Sequence, residues 1–383
     1  KRSRKMKIGI TCYPTYGGSG VIATELGKYL AQRGHEVHFI SYALPFRLNH
    51  FVENIVFHEV ETSSYPLFEF PLYALALASK MAEVAQFEKL DLLHVHYAIP
   101  HAISAFLAKQ VMKTKKDLKI TTTLHGTDIT LVGLEPSFLP LVKFSIEESN
   151  GVTAVSKFLK EKTLTNYDIE KDIEVIPNFV DTSIFKPLEH CIHKGHIAPK
   201  GEKILIHTSN FRPVKRVPDT IRIFDLVKKE VPSKLLLVGD GPERSECERL
   251  CRQLDLCDHV KFLGKQDGLV EILNSADLFL IPSQSESFGL AALEAMACGL
   301  PVISSSVGGL PELVKHNESG FIAEIGDVER MAKYAIDLLT NEKKYALFSK
   351  NARERAVQQF DVSKVVPMYE KHYQSRPTPS GHT

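Results

Sequence analysis

Short apolar runs separated by longer amphipathic stretches make up most of this chain, and the whole pattern occurs twice. In the first half the runs are Lys7–Thr11, Glu36–Ser41, Ile55–Val60, Leu90–Val95, Lys119–Leu124, Gly151–Val155 and Glu174–Ile176. Several are near-continuously apolar, as the strands of a parallel sheet are when helices cover both faces. Helical patterns at Gly20–Arg33, Leu72–Glu88, Ala102–Met112 and Leu139–Ser149 lie between them. The pattern restarts at Lys203, with strands predicted at Lys203–Thr208, Lys234–Val238, Val260–Leu263, Leu278–Ile281 and Pro301–Ile303. Helices at Pro218–Glu230, Glu243–Leu254, Leu269–Asn274, Gly289–Ala297 and Val328–Leu339 separate these, and two more runs follow Asn341, to Gln359 and over Val362–Tyr373. The reading is α/β: two Rossmann-like, doubly wound parallel-sheet domains. A chain of 383 residues is also too long for one ordinary core.

The aperiodic stretch from Pro177 to Lys200 marks a hinge. The expected division is a first domain over 1–182 and a second over 183–358. A helix over 359–375 returns to the first domain, and 376–383 is a disordered tail. In open α/β sheets ligands bind outside the carboxyl ends of the strands, so the loops that follow strands are where chemistry is expected, facing one another across a cleft.

Lys plus Arg number 47 against 46 Asp plus Glu, a net charge of +1, so neither nucleic acid nor an anionic membrane is called for as a partner. No stretch approaches the roughly 18–20 apolar residues of a membrane span. The basic run Lys1–Lys5 lacks a following apolar segment and reads as a solvated end rather than a secretory signal. The cytoplasm is the expected location. The six cysteines at 12, 191, 247, 251, 257 and 298 form no CxxC pair and read as reduced thiols. Neither Cys247 with Cys251 nor the loop His190, Cys191, His193 and His196 has metal-site spacing, and the latter reads as surface.

Three loops carry chemical signals. The first, Cys12 to Gly20, ends in Gly17-Gly18-Ser19-Gly20 and opens the first long helix, where free amides favour an anion. It is not read as a dinucleotide fingerprint, because the loop is long and no acidic residue closes the second strand. The second is Asn210-Phe211-Arg212-Pro213-Val214-Lys215-Arg216, directly after the strand at Lys203, whose Arg212 and Lys215 suit a diphosphate. The third, Ser285–Gly299, follows the strand Leu278–Ile281. Its Glu286 and Glu294 are acceptors for sugar and ribose hydroxyls, and the amides of Phe288, Gly289 and Leu290 stand free at a helix start to hold phosphate.

With these residues in hand, the chain resembles the retaining glycosyltransferases of the GT-B fold, family 4 (GT4). The resemblance rests on Glu286-x7-Glu294, Lys215, Val238–Glu243 (VGDGPE), Pro177-Asn178 and His125-Gly126, and it covers residues 6–373. It implies two domains across a cleft, a nucleotide-sugar donor on the second domain and the acceptor on the first. The stretches Lys7–Gly20, Leu44–Asn49, His94–Ala102, Thr122–Thr130 and Ser209–Val217 are similar to the members that move GlcNAc from UDP-GlcNAc to the hydroxyl of L-malate, the first step of bacillithiol synthesis.

Carried over by position, the resemblance implies Glu294 on the donor ribose and Glu286 on the sugar. It puts Arg212 and Lys215 on the diphosphate, beside Asn210, Gly17, Gly18 and the amides of Phe288, Gly289 and Leu290. His125 lies by the transferred sugar, with Asp128 orienting its loop. His125, Glu286, Arg212 and Lys215 form the catalytic set. Ser19, Arg47, Tyr97, Thr123 and Lys143 are the acceptor set.

Two departures stand out. Many members carry Arg where Asn210 stands, leaving that charge to Arg212. The malate-using members carry Arg where this chain has Lys143, and a lysine cannot make the bidentate fork a carboxylate favours.

The chain contains no Asp-x-Asp, so no metal and no cofactor are expected, and a homo-oligomer is left open. His94 and His96 read as structural rather than as a metal pair. Competing readings are a GT4 transferase for inositol phosphate or a lipid-linked acceptor, a UDP-GlcNAc 2-epimerase of similar fold, and a non-catalytic nucleotide-sugar binding module.

Overall fold

A computed structural model describes residues 5–15, 17–62, 72–112, 118–189 and 192–375. Lys1–Arg4, Tyr16, His190, Cys191 and the tail 376–383 lie outside the described residues.

The chain divides into two compact units, Lys1–Asn178 with Val365–Thr383, and Phe179–Lys364. The first runs β1 (Lys7–Thr11), α1 (Gly18–Gln32), β2 (Glu36–Ser41), β3 (Ile55–Glu59), α2 (Tyr73–Glu88), β4 (Leu92–His96), α3 (Ile103–Met112) and β5 (Lys119–Leu124). It continues through α4 (Thr127–Thr130), α5 (Leu139–Glu148), β6 (Gly151–Ala154), α6 (Lys157–Tyr167) and β7 (Glu174–Val175). Its seven strands are ordered β3-β2-β1-β4-β5-β6-β7, and every pair is parallel.

The second unit runs α7 (Ile192–Ile197), β8 (Lys203–Thr208), α8 (Val217–Glu230), β9 (Ser233–Val238), α9 (Arg244–Gln253), β10 (Val260–Gly264), α10 (Leu269–Ser275) and β11 (Leu278–Ile281). Then come α11 (Leu290–Ala297), β12 (Val302–Ser305), α12 (Leu310–Leu313), β13 (Gly320–Ala323), α13 (Val328–Thr340) and α14 (Glu342–Gln359). Its six strands are ordered β10-β9-β8-β11-β12-β13, again all parallel. Both sheets are doubly wound, and in each the order reverses beside the first strand, between β1 and β4 and between β8 and β11.

Local signals explain many boundaries. Helix α8 has Pro218 in its first turn, Asp219 beside it and Lys228 and Lys229 in its last, an arrangement that suits the helix dipole. Asp327 and Asn341 cap α13 and α14, accepting from the amides of Arg330 and Lys344. The last helix, α15 (Val362–Gln374), belongs to the first unit from Val365 onward. There Glu370 receives a two-pronged bond from Arg33 (2.9 and 2.8 Å), His372 meets Glu174 at 2.7 Å, and the Tyr369 ring is fully buried.

Several elements differ from the sequence reading. Helix α6 was not predicted, because it buries only Leu159, Thr163 and Tyr167, one stripe at i, i+4 and i+8. Strand β13 was not predicted either, being a four-residue edge strand set between turns. Helix α7 falls inside the stretch read as aperiodic, and its Lys194 pairs with buried Asp277 at 2.6 Å. The division falls after Asn178 rather than at 182, since Val180 exchanges backbone bonds with Phe360 and Val362, and the Thr182 hydroxyl bonds Asp361 at 2.5 Å.

Four of the cysteines, 12, 247, 251 and 298, are free and buried, and Cys257 is free and exposed. Among the described residues no helix is long and apolar enough to cross a membrane.

Candidate active site

In the second unit, the loops after β8 and β11 leave neighbouring strands at the reversal point. His207 sets the first loop. Its Nδ1 donates to the Leu280 carbonyl (2.8 Å), so the bare Nε2 accepts from the Ser209 hydroxyl (2.8 Å), whose oxygen takes the Phe211 amide (3.3 Å). Burial pushes the His207 imidazole down to about 4, which keeps it neutral in this role. The Phe211 ring is fully buried and anchors the turn Pro213–Lys215. The Val214 carbonyl then accepts from the Gln284 amide (2.8 Å), tying the two loops together.

That tie brings Lys215 to Glu286. The ammonium lies 2.6 Å from Oε1, with the two side chains 23% and 11% exposed, and the Ser283 hydroxyl donates to the same oxygen at 2.9 Å. The Glu286 backbone is clasped in turn. Its carbonyl accepts from the Gly309 amide (3.0 Å), and a Cβ on Gly308, whose φ is +56°, would sit 1.7 Å from that oxygen. Only glycine fits there.

Gly289 (φ +98°) then turns the chain into α11, Phe288 packs edge-on against Phe360 (5.6 Å), and Glu294 is buried one turn inside the helix. Burial, then the nearby Glu294 carboxylate, pushes the Cys298 thiol up to about 12. Asn210 and Arg212 are exposed on the same loop as Lys215. The structure therefore joins Lys215 and Glu286 directly, within the frame that holds Phe288, Gly289, Leu290 and Glu294.

In the first unit the reversal point carries a different chemistry. The Tyr97 hydroxyl donates to Ser19 Oγ (2.8 Å), linking the loop after β4 to the first turn of α1. Tyr97 adopts φ +91°, a conformation that costs a non-glycine residue roughly 1–3 kcal/mol. Its amide is held by the Thr123 carbonyl at 2.9 Å. Behind it stands a buried cluster of imidazoles. His96 Nδ1 meets His125 Nε2 at 2.8 Å, and the His101 Nδ1 donates to the His96 carbonyl. His94 bridges Thr123 (2.7 Å) and the Tyr373 hydroxyl (2.8 Å).

Burial drives all four imidazoles down, His101 to about 4 and His125 to about 3, and holds them neutral. Asp128 accepts from the amides of Ala98 (2.9 Å), Gly126 (3.0 Å) and His125 (3.3 Å), fixing the His125 loop. Its own carboxyl is pushed up to about 6 by burial, against the pull of those amides.

Gly17 caps α1, its carbonyl accepting from the Val21 amide (3.0 Å), with Gly18 opening the helix. A Cβ on Gly20 would lie 2.6 Å from the Tyr13 carbonyl, so the preceding loop lies directly on the helix start. Arg47 is half-buried in the loop after β2 at φ +69°, with its guanidinium 5.9 Å from the Phe46 ring.

Two residues of the expected acceptor set have other partners in this structure. The Thr123 side chain is fully buried and bonded to His94 and to Thr153 (2.7 Å), so it faces the core. The Lys143 ammonium donates to the Asp168 carbonyl (2.8 Å) at the end of α6. The sequence reading missed Ser283, Ser209, His207 and Gly308–Gly309, although all lie at or just after strand ends, where functional loops were expected.

Residues 16–184 match the family described as Glycosyltransferase Family 4, and residues 191–355 match Glycosyl transferases group 1. The chain is a glycosyltransferase and belongs to family 4. It is 52% identical, over 96% of this chain and 97% of the relative, to the N-acetyl-alpha-D-glucosaminyl L-malate synthase of Bacillus anthracis. It is 30% identical, over 82% of this chain and 84% of the relative, to an uncharacterized glycosyltransferase of Methanocaldococcus jannaschii. Among solved structures, Anabaena HepE in complex with UDP and glucose matches with a TM-score of 0.80 at 22% identity, covering 97% of this chain and 100% of that one. The shared fold is GT-B.

Proposed function

We propose that this glycosyltransferase moves GlcNAc from UDP-GlcNAc to the hydroxyl of L-malate, with retention at the anomeric carbon and without a metal ion. The observation that carries the reading is the Lys215–Glu286 pair where β8 and β11 end. The name of the 52% identical relative supports the choice of substrates.

An ammonium has three donors, and Glu286 uses one, leaving two for oxygens of the leaving diphosphate. Arg212, exposed on the same loop, adds charge. Lys215 and Ser283 both bond Glu286 through Oε1, so Oε2 meets a hydroxyl of the sugar, while Glu294 serves the ribose. Ser19 and Tyr97 position the malate, and Arg47 is the cation for its carboxylates.

In the reaction the bond from the anomeric carbon to the diphosphate breaks as the malate oxygen bonds to the same face. The malate hydroxyl proton passes to the departing phosphate oxygen, and UDP leaves. Stabilising the developing phosphate charge and aligning the acceptor supply the catalysis. His125 is neutral and too weak a base to take that proton at pH 7, which suits a route in which the phosphate takes it.

The test is UDP release from UDP-GlcNAc with L-malate, D-malate, inositol phosphate or water, in chelator, with the anomeric configuration of the product read by NMR. Release with L-malate giving an α-linked product is expected. Equal release with water, epimerised sugar without acceptor, or dependence on added metal would refute the reading.

A further inference from the structure

Strands β2 and β3 lie side by side at the edge of the first sheet, with His38 opposite Val56 and Ile40 opposite His58. This register makes His38 and His58 diagonal neighbours on one face. Their ring nitrogens converge, His38 Nδ1 lying 2.9 Å from His58 Nε2, with the rings stacked at 5.2 Å. Glu88, the last residue of α2, points its carboxylate at the same place. One potential ligand atom from each of the three lies within 4.8 Å of the others, the one such grouping among the described residues.

The outer partners favour the same role. His38 Nε2 faces Glu36 Oε1 at 3.1 Å, and that carboxylate also takes the Lys7 ammonium at 2.7 Å. A carboxylate paired with the Lys7 ammonium can only accept. The proton of His38 therefore sits on Nε2, and the Nδ1 lone pair faces His58. A carboxylate behind an imidazole is how metal-bound histidines are oriented. His38 is buried, while His58 and Glu88 are half-buried, so solvent reaches one side.

We propose that His38, His58 and Glu88 bind a divalent zinc-like ion through two imidazole nitrogens and one carboxylate oxygen, with water as the fourth ligand. Zn–N bonds of about 2.0–2.1 Å in a tetrahedron need nitrogens roughly 3.3 Å apart, so the pair opens by a few tenths of an ångström. A donor set with no thiolate suits Zn2+, Co2+ or Ni2+ rather than Cu(I). Helix α2 ends just before β4 begins, at the edge of the sheet opposite Ser19 and Tyr97. The ion would therefore clamp β2, β3 and α2 together and take no part in sugar transfer.

The test uses the full-length protein, stripped with chelator, dialysed, and titrated with Zn2+ by calorimetry and with Co2+ by visible absorption. Wild type is expected to take up one ion per chain, with the d–d bands of four-coordinate Co2+. His58→Ala should lose that saturable step, and Glu36→Gln, which touches no ligand position, should weaken it roughly 10–100-fold. If His58→Ala does not fold, Glu88→Gln replaces it, since Glu88 is half-buried at a helix end. No saturable uptake by the wild type, or equal uptake by wild type and ligand variants, would overturn the site.

Discussion

At the strand-order reversal of the second unit an ammonium and a carboxylate meet 2.6 Å apart, held by loops that hydrogen-bond to each other. At the matching point of the first unit, His96, His101 and His125 form a buried, neutral cluster with half-buried Tyr97 and Ser19 at its edge. The strand order is the same and the chemistry is opposite. A charged pair suits a diphosphate that gains charge as it leaves. Uncharged rings and hydroxyls suit an acceptor that must be held and whose proton is not taken by the protein. On the proposed function, leaving-group chemistry falls to one unit and positioning to the other.

The sharpest way to break that division is Lys215→Ala. It is expected to cut kcat by roughly 10²–10³, the usual effect of losing one charge-stabilising donor, while the KM for malate stays near wild type. Glu286→Gln should follow it. Wild-type turnover in either variant would remove the pair from the reaction.

Acid should separate the units next. The depressed imidazoles of the first unit contribute stability that is present above the unfolded value near 6.5 and lost as the pH falls toward their folded values, about 4 for His101 and about 3 for His125. By pH 5 each of these two costs about 2 kcal/mol, the free energy of leaving a histidine uncharged 1.5 units below its free pKa. Asp128 works the other way. Its raised value, about 6, gives stability that is present at low pH and lost as the pH rises through 6, which offsets part of the loss. In the second unit His207 is the imidazole driven as low as about 4. Hydrogen exchange at pH 7 and pH 5 should show β4 and β5 losing protection before β8 and β11; equal loss would contradict the contrast.

Smaller effects sharpen the acceptor side. Tyr97→Phe removes the bond to Ser19 and should raise the malate KM several-fold, in keeping with about 1 kcal/mol for one hydrogen bond, without changing the KM for UDP-GlcNAc. Lys143→Ala should leave the malate KM within about twofold, since an exposed pairing of this kind contributes about 0–1 kcal/mol. A tenfold rise would return Lys143 to the acceptor site.

Much of this contrast was readable in the chain. Glu286, Arg212 and Lys215 stand in loops directly after apolar runs, with Glu294 one turn into the helix that follows, and charges there have few structural reasons to exist. Both parallel sheets followed from strands apolar on both faces. Less visible were residues whose role depends on partners distant in sequence. His207 and Ser209 act through Leu280 and Phe211, Gly308 acts through the Glu286 carbonyl, and His94 through Tyr373 of the last helix. The partners of Thr123 and Lys143 were hidden for the same reason. A strand residue near a functional loop faces either the loop or the core, and a helix lysine reaches either end, and only the packed neighbours decide which.

The most direct test of the division is calorimetric binding of UDP to wild type, Lys215→Ala and Tyr97→Phe. Lys215→Ala is expected to bind UDP roughly 10–100-fold more weakly, the range of one charge-assisted hydrogen bond, and Tyr97→Phe with wild-type affinity. Unchanged affinity in Lys215→Ala, or a loss confined to Tyr97→Phe, would contradict it.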